Sequence, residues 1–321
     1  MRVTTLAIVL SGALVTGCGT EPEAPGADTA PVPAPPTEAT DTRLPDVIVA
    51  ERGGFIPEGV EYDRTNGRIL TGSLSEGSVL QLHPDGRVST VVADPDLVSS
   101  VGIEVDEVRD RLLVANSDRT VFEGTSAGQA ELAVYDLTSG DRIALVDLAA
   151  TVSDPDATHF ANDAAVADDG TVYVTDTMFN AIYRVTLEYE ASLLHRFDDE
   201  AGGPNGIEVH PDDYLLVARG AELWKVPVSD PGSSAAVTLA EPVPGGDGIV
   251  WSGDRLAIVS NSDFRVVALT SANDWTTAEV AGVATFETAA TTAAVIDGEV
   301  YVVHPVFEGD DPPSVARVTF H

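Results

Sequence analysis

A unit of a little over 40 residues recurs along the chain, and this repeat limits the possible folds more than any other feature. Each copy contains two runs of alternating apolar and polar residues, joined by a turn rich in Asp, Asn and Gly, which is the pattern of a β-hairpin. Six copies are visible, and they start near Glu58, Val101, Asn162, Asn205, Asp247 and Thr292. The last four start 43, 42 and 45 residues apart, the period of four-stranded propeller blades.

The two ends of the repeat region predict how the ring of blades closes. Residues 45–51 have the pattern of a strand but belong to no repeat, whereas the last repeat lacks a fourth strand. We therefore expect residues 45–51 to complete the last blade. No long helical pattern occurs between Arg43 and His321. The predicted fold class is all-β, a six-bladed β-propeller closed by an N-terminal strand.

The first 43 residues are unlike the rest of the chain. Residues 1–17 combine Arg2, a short apolar run and the letters VTG before Cys18, which predicts a bacterial lipoprotein signal peptide; an ordinary secretory peptide is the alternative. Residues 18–43 are rich in Pro, Ala, Thr and Glu, which predicts a lipidated Cys18 followed by a disordered tether. Residues 44–321 form the predicted propeller. Cys18 is the only cysteine, so a disulfide within the chain is excluded.

These features predict a protein anchored by lipid to the cell envelope, and specifically to the outer membrane in a Gram-negative host, since Gly19 provides no acidic retention signal. We expect a monomer that contacts the membrane only through the anchor. The net charge of −35 would repel a polyanion and therefore excludes nucleic acid as a partner. The GxSxG, HExxH and phosphate-loop motifs are absent, which disfavours a serine hydrolase, a zincin and a nucleotide enzyme.

The start of each repeat carries the candidate site. In a propeller the innermost strands all begin at one face beside the central channel, so equivalent positions converge there. The repeat places four oxygen-bearing side chains at these starts, with Gly102 and Thr292 leaving space at the other two: Glu58, Asn162, Asn205 and Asp247. Such a set suits a hard cation, calcium first, with magnesium, manganese or zinc as alternatives. The other interpretation is that these residues only cap turns, although Glu58 has no turn preference.

The motifs PEGVEYD, ND, PNGI and GDGIVW, in this order and at blade spacing, resemble the senescence marker protein/gluconolactonase family of six-bladed propellers. The resemblance implies that Glu58, Asn205 and Asp247 bind the metal, that Asn162 lies on the substrate side, and that Asp247 is the general base or nucleophile. The chain departs from the sugar lactonases at Phe160, where those enzymes have an arginine that contacts substrate hydroxyls.

Two hypotheses about function follow. The first is a metal-dependent hydrolase of a lactone or similar ester-like bond in a small-molecule substrate, in which the cation polarises the carbonyl and Asp247 is catalytic. His304 ends a strand at the same face and is a candidate substrate-binding residue or proton shuttle, with a packing role as the alternative. The second hypothesis is a non-catalytic propeller, braced by calcium, that serves as a binding or scaffolding module at the envelope.

Overall fold

Six sheets, one for each sequence repeat, surround a central channel in the computed structural model, which describes residues 43–198 and 201–321. The propeller fills the compact unit Leu44–His321. Each innermost strand packs against the innermost strand of the next blade, and that of the sixth blade packs against that of the first, so the ring is closed. The predicted all-β, six-bladed fold is confirmed. The signal sequence, Cys18 and all of the tether except Arg43 lie outside the described residues.

The first three blades follow the chain from the channel outwards. Blade 1 consists of β2 (Val60–Asp63), β3 (Arg68–Ser73), β4 (Ser78–Leu82) and β5 (Val88–Ala93). Blade 2 consists of β6 (Ser99–Asp106), β7 (Arg111–Ser117), β9 (Glu131–Asp136) and β10 (Arg142–Asp147). Blade 3 consists of β11 (His159–Val166), β12 (Val172–Asp176), β13 (Ala181–Val185) and β14 (Ala191–Arg196), and the short β8 (Gly128–Gln129), from an insertion between β7 and β9 of blade 2, pairs with β11.

The other three blades repeat this order. Blade 4 consists of β15 (Pro204–His210), β16 (Tyr214–Arg219), β17 (Glu222–Pro227) and β18 (Ala235–Ala236). Blade 5 consists of β20 (Gly246–Ser252), β21 (Arg255–Ser260), β22 (Arg265–Thr270) and β23 (Thr277–Thr285), with β19 (Thr238–Leu239) on its outer edge. Blade 6 consists of β24 (Ala293–Ile296), β25 (Glu299–His304), β26 (Ser314–Arg317) and β1 (Val47–Val49). The described helices are 3-10 turns at Arg119–Glu123, Ala149–Thr151 and Pro231–Ser233.

The N-terminal strand closes the ring as the sequence predicted. β1 pairs with β26 in antiparallel register, with Ile48 opposite Val315. Ile48 is buried, whereas Val47 and Val49 are exposed, so the strand alternates between the core and solvent. Because the outermost strand of blade 6 comes from the other end of the repeat region, the first and last repeats are held together.

The core lies between neighbouring blades. Leucine, valine and isoleucine side chains from adjacent sheets form a series of buried clusters around the ring. Each such side chain stabilises the fold by roughly 1.5–3 kcal/mol when fully buried. Within the described residues, every helix is too short to cross a membrane. The packing leaves the channel and the loops at its two faces as the places where polar chemistry can occur.

Candidate functional site

Close contact between the innermost strands sets the register of the site. At Gly59, a Cβ atom would lie 2.6 Å from the carbonyl oxygen of Val101 in the next blade. At Gly206, it would lie 2.4 Å from the carbonyl oxygen of Asp247. The residues that precede these contacts form one ring at the upper face, where the innermost strands begin. This mouth ring consists of Glu58, Val101, Asn162, Asn205, Asp247 and Thr291.

The structure corrects the prediction from the sequence at two of the six ring positions. We expected Gly102 and Thr292 to leave space in the ring, but the equivalent residues are one position earlier, Val101 and Thr291. The prediction was wrong because Gly102 aligns with Gly59, which follows the ring residue of blade 1. Val101 is fully buried and presents an apolar side chain. Thr291 donates a hydrogen bond from Oγ1 to the backbone oxygen of Glu58 at 2.8 Å, which ties blade 6 to blade 1.

The two carboxylates of the mouth ring are buried with little to neutralise them. Burial raises the pKa of Glu58 well above its usual range, and the charges of Asp247 and Asp163 raise it further. Burial also raises the pKa of Asp247 to about 8, against hydrogen bonds from Asn205 and Asn261 that lower it. Asn261, at the end of the second strand of blade 5, donates to Asp247 Oδ2 at 3.2 Å. A nearby positive charge would therefore stabilise the ionised forms of these two acids.

Blade 3 fixes both asparagines of the mouth ring, Asn162 through its side chain and Asn205 through its backbone. The Asn162 side chain donates from Nδ2 to Thr177 Oγ1 at 2.9 Å. Thr177 in turn donates to the backbone oxygen of Pro204 at 2.8 Å, and Thr175 donates to that of Asn205 at 2.6 Å. These bonds fix the orientation of β15 relative to β12. Asn205 itself hydrogen-bonds Asp247, so its amide is directed towards the acid.

The residues present fit a bound cation. Asn162 Oδ1 is buried, and no described residue donates a hydrogen bond to it, although its own Nδ2 is bonded. A buried carbonyl oxygen without a partner costs about 1–3 kcal/mol, which a cation or a water molecule would offset. Among residues 43–198 and 201–321, no three His, Cys, Asp or Glu side chains are close enough to hold a metal by themselves. A cation here would therefore need the amide oxygens, as calcium and magnesium do.

A second set of acids lies deeper in the channel, and the sequence analysis missed it. It consists of Glu61, Glu104, Glu208 and Asp163, which together line a small cavity with room for about a single water molecule. Burial raises the pKa of Glu61 to about 8 and that of Asp163 to about 7. Burial also raises the pKa values of Glu104 and Glu208 well above the usual range, and the charge of Glu61 adds to both shifts.

A signal for these deeper acids is present in the sequence. Glu61, Glu104 and Glu208 each come two residues after the glycine of the innermost strand, in the motifs GVE and GIE. We call these three residues the lower glutamates. Asp163 stands where four other blades have glycine, and it accepts hydrogen bonds from the backbone of Ala164 at 2.9 Å and of Ile207 at 3.2 Å.

His304 and Phe160 lie at the upper face but outside the mouth ring. The Nδ1 atom of His304 lies 3.0 Å from the backbone oxygen of Ala289 and 3.3 Å from Thr288 Oγ1, and burial lowers its pKa. Burial thus favours the neutral imidazole, and these contacts hold the ring beside the loop that precedes β24. Phe160 is buried, and its ring contacts that of Phe122 edge-on, with centroids 4.7 Å apart. It presents an apolar surface where the sugar lactonases have a guanidinium.

A wide surface groove of about 630 Å³ lies elsewhere, between the outer strands β10 and β14 of blades 2 and 3. Asp147 is the one acid among the residues that line it. The groove is larger than any space in the channel, but it has no second acid beside Asp147. We therefore place the candidate site at the mouth ring, where buried carboxylates and amides meet.

Comparison with known proteins identifies the family of the chain. Residues 56–254 match the family model described as the SMP-30/Gluconolactonase/LRE-like region. That range contains Glu58, Asn162, Asn205 and Asp247. No curated protein matches the chain by sequence.

Several solved structures share the fold. The major allergen Mala s 1 of Malassezia sympodialis is 17% identical, with a TM-score of 0.70 over 86% of this chain and 97% of the allergen. A gluconolactonase from Xanthomonas campestris is 16% identical, with a TM-score of 0.60 over 87% and 99% of the two chains. Regucalcin from Agrobacterium tumefaciens, a calcium-binding protein, is 15% identical, with a TM-score of 0.59 over 86% and 95%. At these identities the likeness establishes the fold alone.

Proposed function

Since the chain belongs to the SMP-30/gluconolactonase/LRE-like family, we propose that it is a cation-dependent hydrolase of lactones or related esters. The observation that supports this most is the mouth ring, in which two buried acids of raised pKa, Glu58 and Asp247, share one ring with the unpartnered Asn162 Oδ1. A lactonase-like activity agrees with the family. The dependence on a cation is our proposal, and calcium is the first candidate because all the available donors are oxygens.

Each residue of the mouth ring has a role in the proposed site. Glu58, Asn205 and Asp247 would hold the cation, and Asn162 would direct its free amide oxygen towards the cation or the substrate. When bound, the cation would supply positive charge that stabilises the oxyanion of the tetrahedral intermediate. The positive charge would also keep Asp247 ionised at neutral pH, because it favours the charged form of a neighbouring carboxylate.

Asp247 would then carry out the proton transfer. Its carboxylate, oriented by Asn205 and Asn261, accepts a proton from a water molecule as the water oxygen adds to the lactone carbonyl carbon. The ring C–O bond then breaks, and the departing oxygen takes this proton back from Asp247 to become the alcohol of an open-chain hydroxy acid, which leaves Asp247 ionised again. Direct attack by the Asp247 carboxylate on the carbonyl is the alternative route.

A hydrolysis assay would test this proposal. Purified protein is mixed with a panel of lactones, aryl esters and phosphotriesters, with calcium or with EDTA. We expect hydrolysis of at least one lactone or ester, which EDTA abolishes and calcium restores. Asp263→Asn provides a matched control for substitution of Asp247, because Asp263 is an exposed acid near the upper face that pairs with Arg265. If no compound is hydrolysed while calcium still stabilises the protein, the non-catalytic binding module replaces the enzyme.

We also propose that Cys18 carries lipid and anchors the propeller at the cell envelope. The support is the order of charged, apolar and small residues before Cys18, followed by a segment poor in large apolar side chains. Cell fractionation would test it: the Cys18→Ser protein should leave the membrane fraction. If the variant still sediments with membranes in the absence of detergent, the anchor is wrong.

A further inference from the structure

Large apolar side chains are exposed in the loops around the mouth ring. In four blades, the loop between the second and third strands carries one such residue, at Phe122, Met178, Phe264 or Phe307. These loops lie at the upper face, because the second strand runs antiparallel to the innermost one. At the opposite face, the exposed large apolar residues of the described turns are Val108 and Leu187. The apolar loops therefore surround the proposed active site.

Phe122 is the most exposed of these four residues and is held in place by its surroundings. It lies in the 3-10 turn Arg119–Glu123, whose first residues are capped by the side chain of Asp118. Gly124 ends the turn with a φ of 68°, a conformation that favours glycine. The neighbouring Val121 is buried beneath the turn. Phe122 is 61% exposed even though its ring contacts the buried Phe160 edge-on.

The side chains below Phe122 are also apolar. Ile56, Leu74, Val101 and Phe160 belong to one buried cluster contributed by blades 1, 2 and 3. Val101 is itself a member of the mouth ring, so this buried apolar cluster, which includes Phe160, extends to the proposed cation site. It occupies the side of the mouth where blade 2 contributes no oxygen ligand.

Every blade except blade 2 contributes an oxygen-bearing side chain to the mouth ring. Blades 4, 5 and 6 contribute Asn205, Asp247 and Thr291 to the ring, with Asn261 and His304 close behind. A substrate bound at the ring would therefore meet hydrogen-bonding groups around most of the mouth and hydrocarbon at blade 2. Such a division fits a molecule that has a polar reacting group at one end and an apolar group at the other.

We infer that the substrates are lactones or esters that carry an alkyl or aryl group, and that the exposed ring of Phe122, packed on the buried Phe160, forms the subsite that binds this group. The inference rests on the proposed function and adds the substrate class to it. The reacting carbonyl lies at the mouth ring, and the apolar group lies over blades 2 and 3 against Phe122. Phe122 is thus the residue that determines specificity. Sugar lactones, whose carbons bear hydroxyl groups, are poor substrates because they have no apolar group to displace water from the ring of Phe122.

A chain-length series would measure the subsite. γ-Lactones with an unbranched alkyl group of zero to six carbons on the ring are compared by kcat/KM. We expect an increase of about fourfold for each methylene group that becomes buried, and a plateau when the chain extends past Phe122. Phe122→Ala should flatten this dependence, because it removes the apolar ring that the alkyl group contacts. Phe264→Ala, which removes an exposed phenylalanine from blade 5, should leave the dependence unchanged.

Binding gives a second measurement that needs no turnover. Lactams with the same rings and alkyl groups resist hydrolysis, so their affinities can be measured by calorimetry with the calcium-loaded protein. We expect affinity to rise with chain length in the wild type and the Phe264→Ala variant but not in Phe122→Ala. Circular dichroism of each variant confirms that the fold is intact.

The outcomes separate this inference from the proposed function. If lactones are hydrolysed but kcat/KM does not depend on chain length, the apolar subsite is wrong and the hydrolase stands. A preference for lactones that carry a carboxylate would also overturn the subsite and would point instead to the exposed Arg119 beside Phe122. If the lactams bind with the expected dependence while no lactone is hydrolysed, the subsite stands and the hydrolase is wrong.

Discussion

The two levels of acids in the channel have different surroundings. At the mouth ring, Glu58 and Asp247 share one ring with two amides, and Asp247 is hydrogen-bonded by Asn205 and Asn261. Three residues further along the same strands, the lower glutamates have little besides backbone N–H groups. Glu61 accepts one from Tyr62 at 3.2 Å.

Glu208 accepts a hydrogen bond from the backbone N–H of Trp251 at 3.3 Å, whereas no described residue donates one to the Glu104 carboxylate. The channel thus contains two levels. The mouth ring has the oxygen ligands that a cation needs, whereas burial favours the protonated form of the acids at the lower level. Buried acids in one channel can therefore have separate roles.

The largest expected effect concerns Asp247. Asp247→Asn keeps the size of the side chain and one oxygen ligand but removes the base, so hydrolysis should fall by roughly a hundredfold or more. Glu104→Gln, at the lower level, should hydrolyse at close to the wild-type rate. Rates are measured with calcium present on any lactone that the wild type hydrolyses. If the two variants lose activity equally, the division of roles between the levels is wrong.

The second prediction concerns pH and the metal-free protein. The pKa values of Glu61 and Asp163 are about 8 and 7 in the fold, against about 4 in the unfolded chain. The folded state therefore binds more protons than the unfolded state between about pH 4 and pH 8, and its stability falls as pH rises through this window. We expect Tm in EDTA to decrease by about 10 °C from pH 5 to pH 8. A Tm that rises over this range contradicts the assignment.

Calcium should oppose this loss of stability. A ligand at a hundred times its Kd stabilises the folded state by about 2.7 kcal/mol, which corresponds to an increase in Tm of about 5 °C for a domain of this size. We expect the increase at pH 8 for the wild type and for Glu104→Gln, because neither lacks a residue of the mouth ring. Differential scanning calorimetry with calcium and with EDTA measures it. An identical Tm in both conditions would count against a cation at the mouth ring.

The smallest effect concerns the lower level alone. Glu104→Gln replaces a buried carboxyl with a neutral side chain of the same shape. The charges of Glu61 and Glu208 disfavour the ionised form of this carboxyl. In EDTA at pH 8 the variant should melt about 2 °C above the wild type, and at pH 5, where Glu104 is protonated, the two should melt together. Glu279→Gln, a substitution on the outer strand β23, is the control. A destabilised Glu104→Gln at pH 8 would show that the carboxylate has a favourable partner.

The sequence predicted most of the fold because the blade repeat is written in local patterns. Alternating apolar residues and turns indicate each hairpin, and the unpaired strand at residues 45–51 indicates the closure that β1 makes. Glu58, Asn162, Asn205 and Asp247 were found because they occupy equivalent places in their repeats. Their roles in binding and catalysis stay predictions.

The remaining features depend on contacts between blades, which local patterns do not show. Val101 rather than Gly102 belongs to the mouth ring because the glycine packs against the backbone of the next blade. Asp163 was overlooked beside Asn162, and the lower glutamates were overlooked because a glutamate inside an alternating strand usually faces solvent. Phe122 lies in the insertion of blade 2, outside the repeat, so only the structure places its ring against Phe160.

The central claim is that the mouth ring, and not the deeper acids, holds a cation, and a calcium titration of metal-free protein tests it most directly. Isothermal titration calorimetry is run at pH 7.5 on the wild type, Glu58→Gln and Glu61→Gln, all at the same protein concentration. It gives the number of calcium ions bound to each protein and their affinity. We predict about one ion per chain for the wild type and Glu61→Gln, and affinity at least tenfold weaker for Glu58→Gln. Binding that survives Glu58→Gln but is lost in Glu61→Gln would place the cation at the lower level and contradict the account.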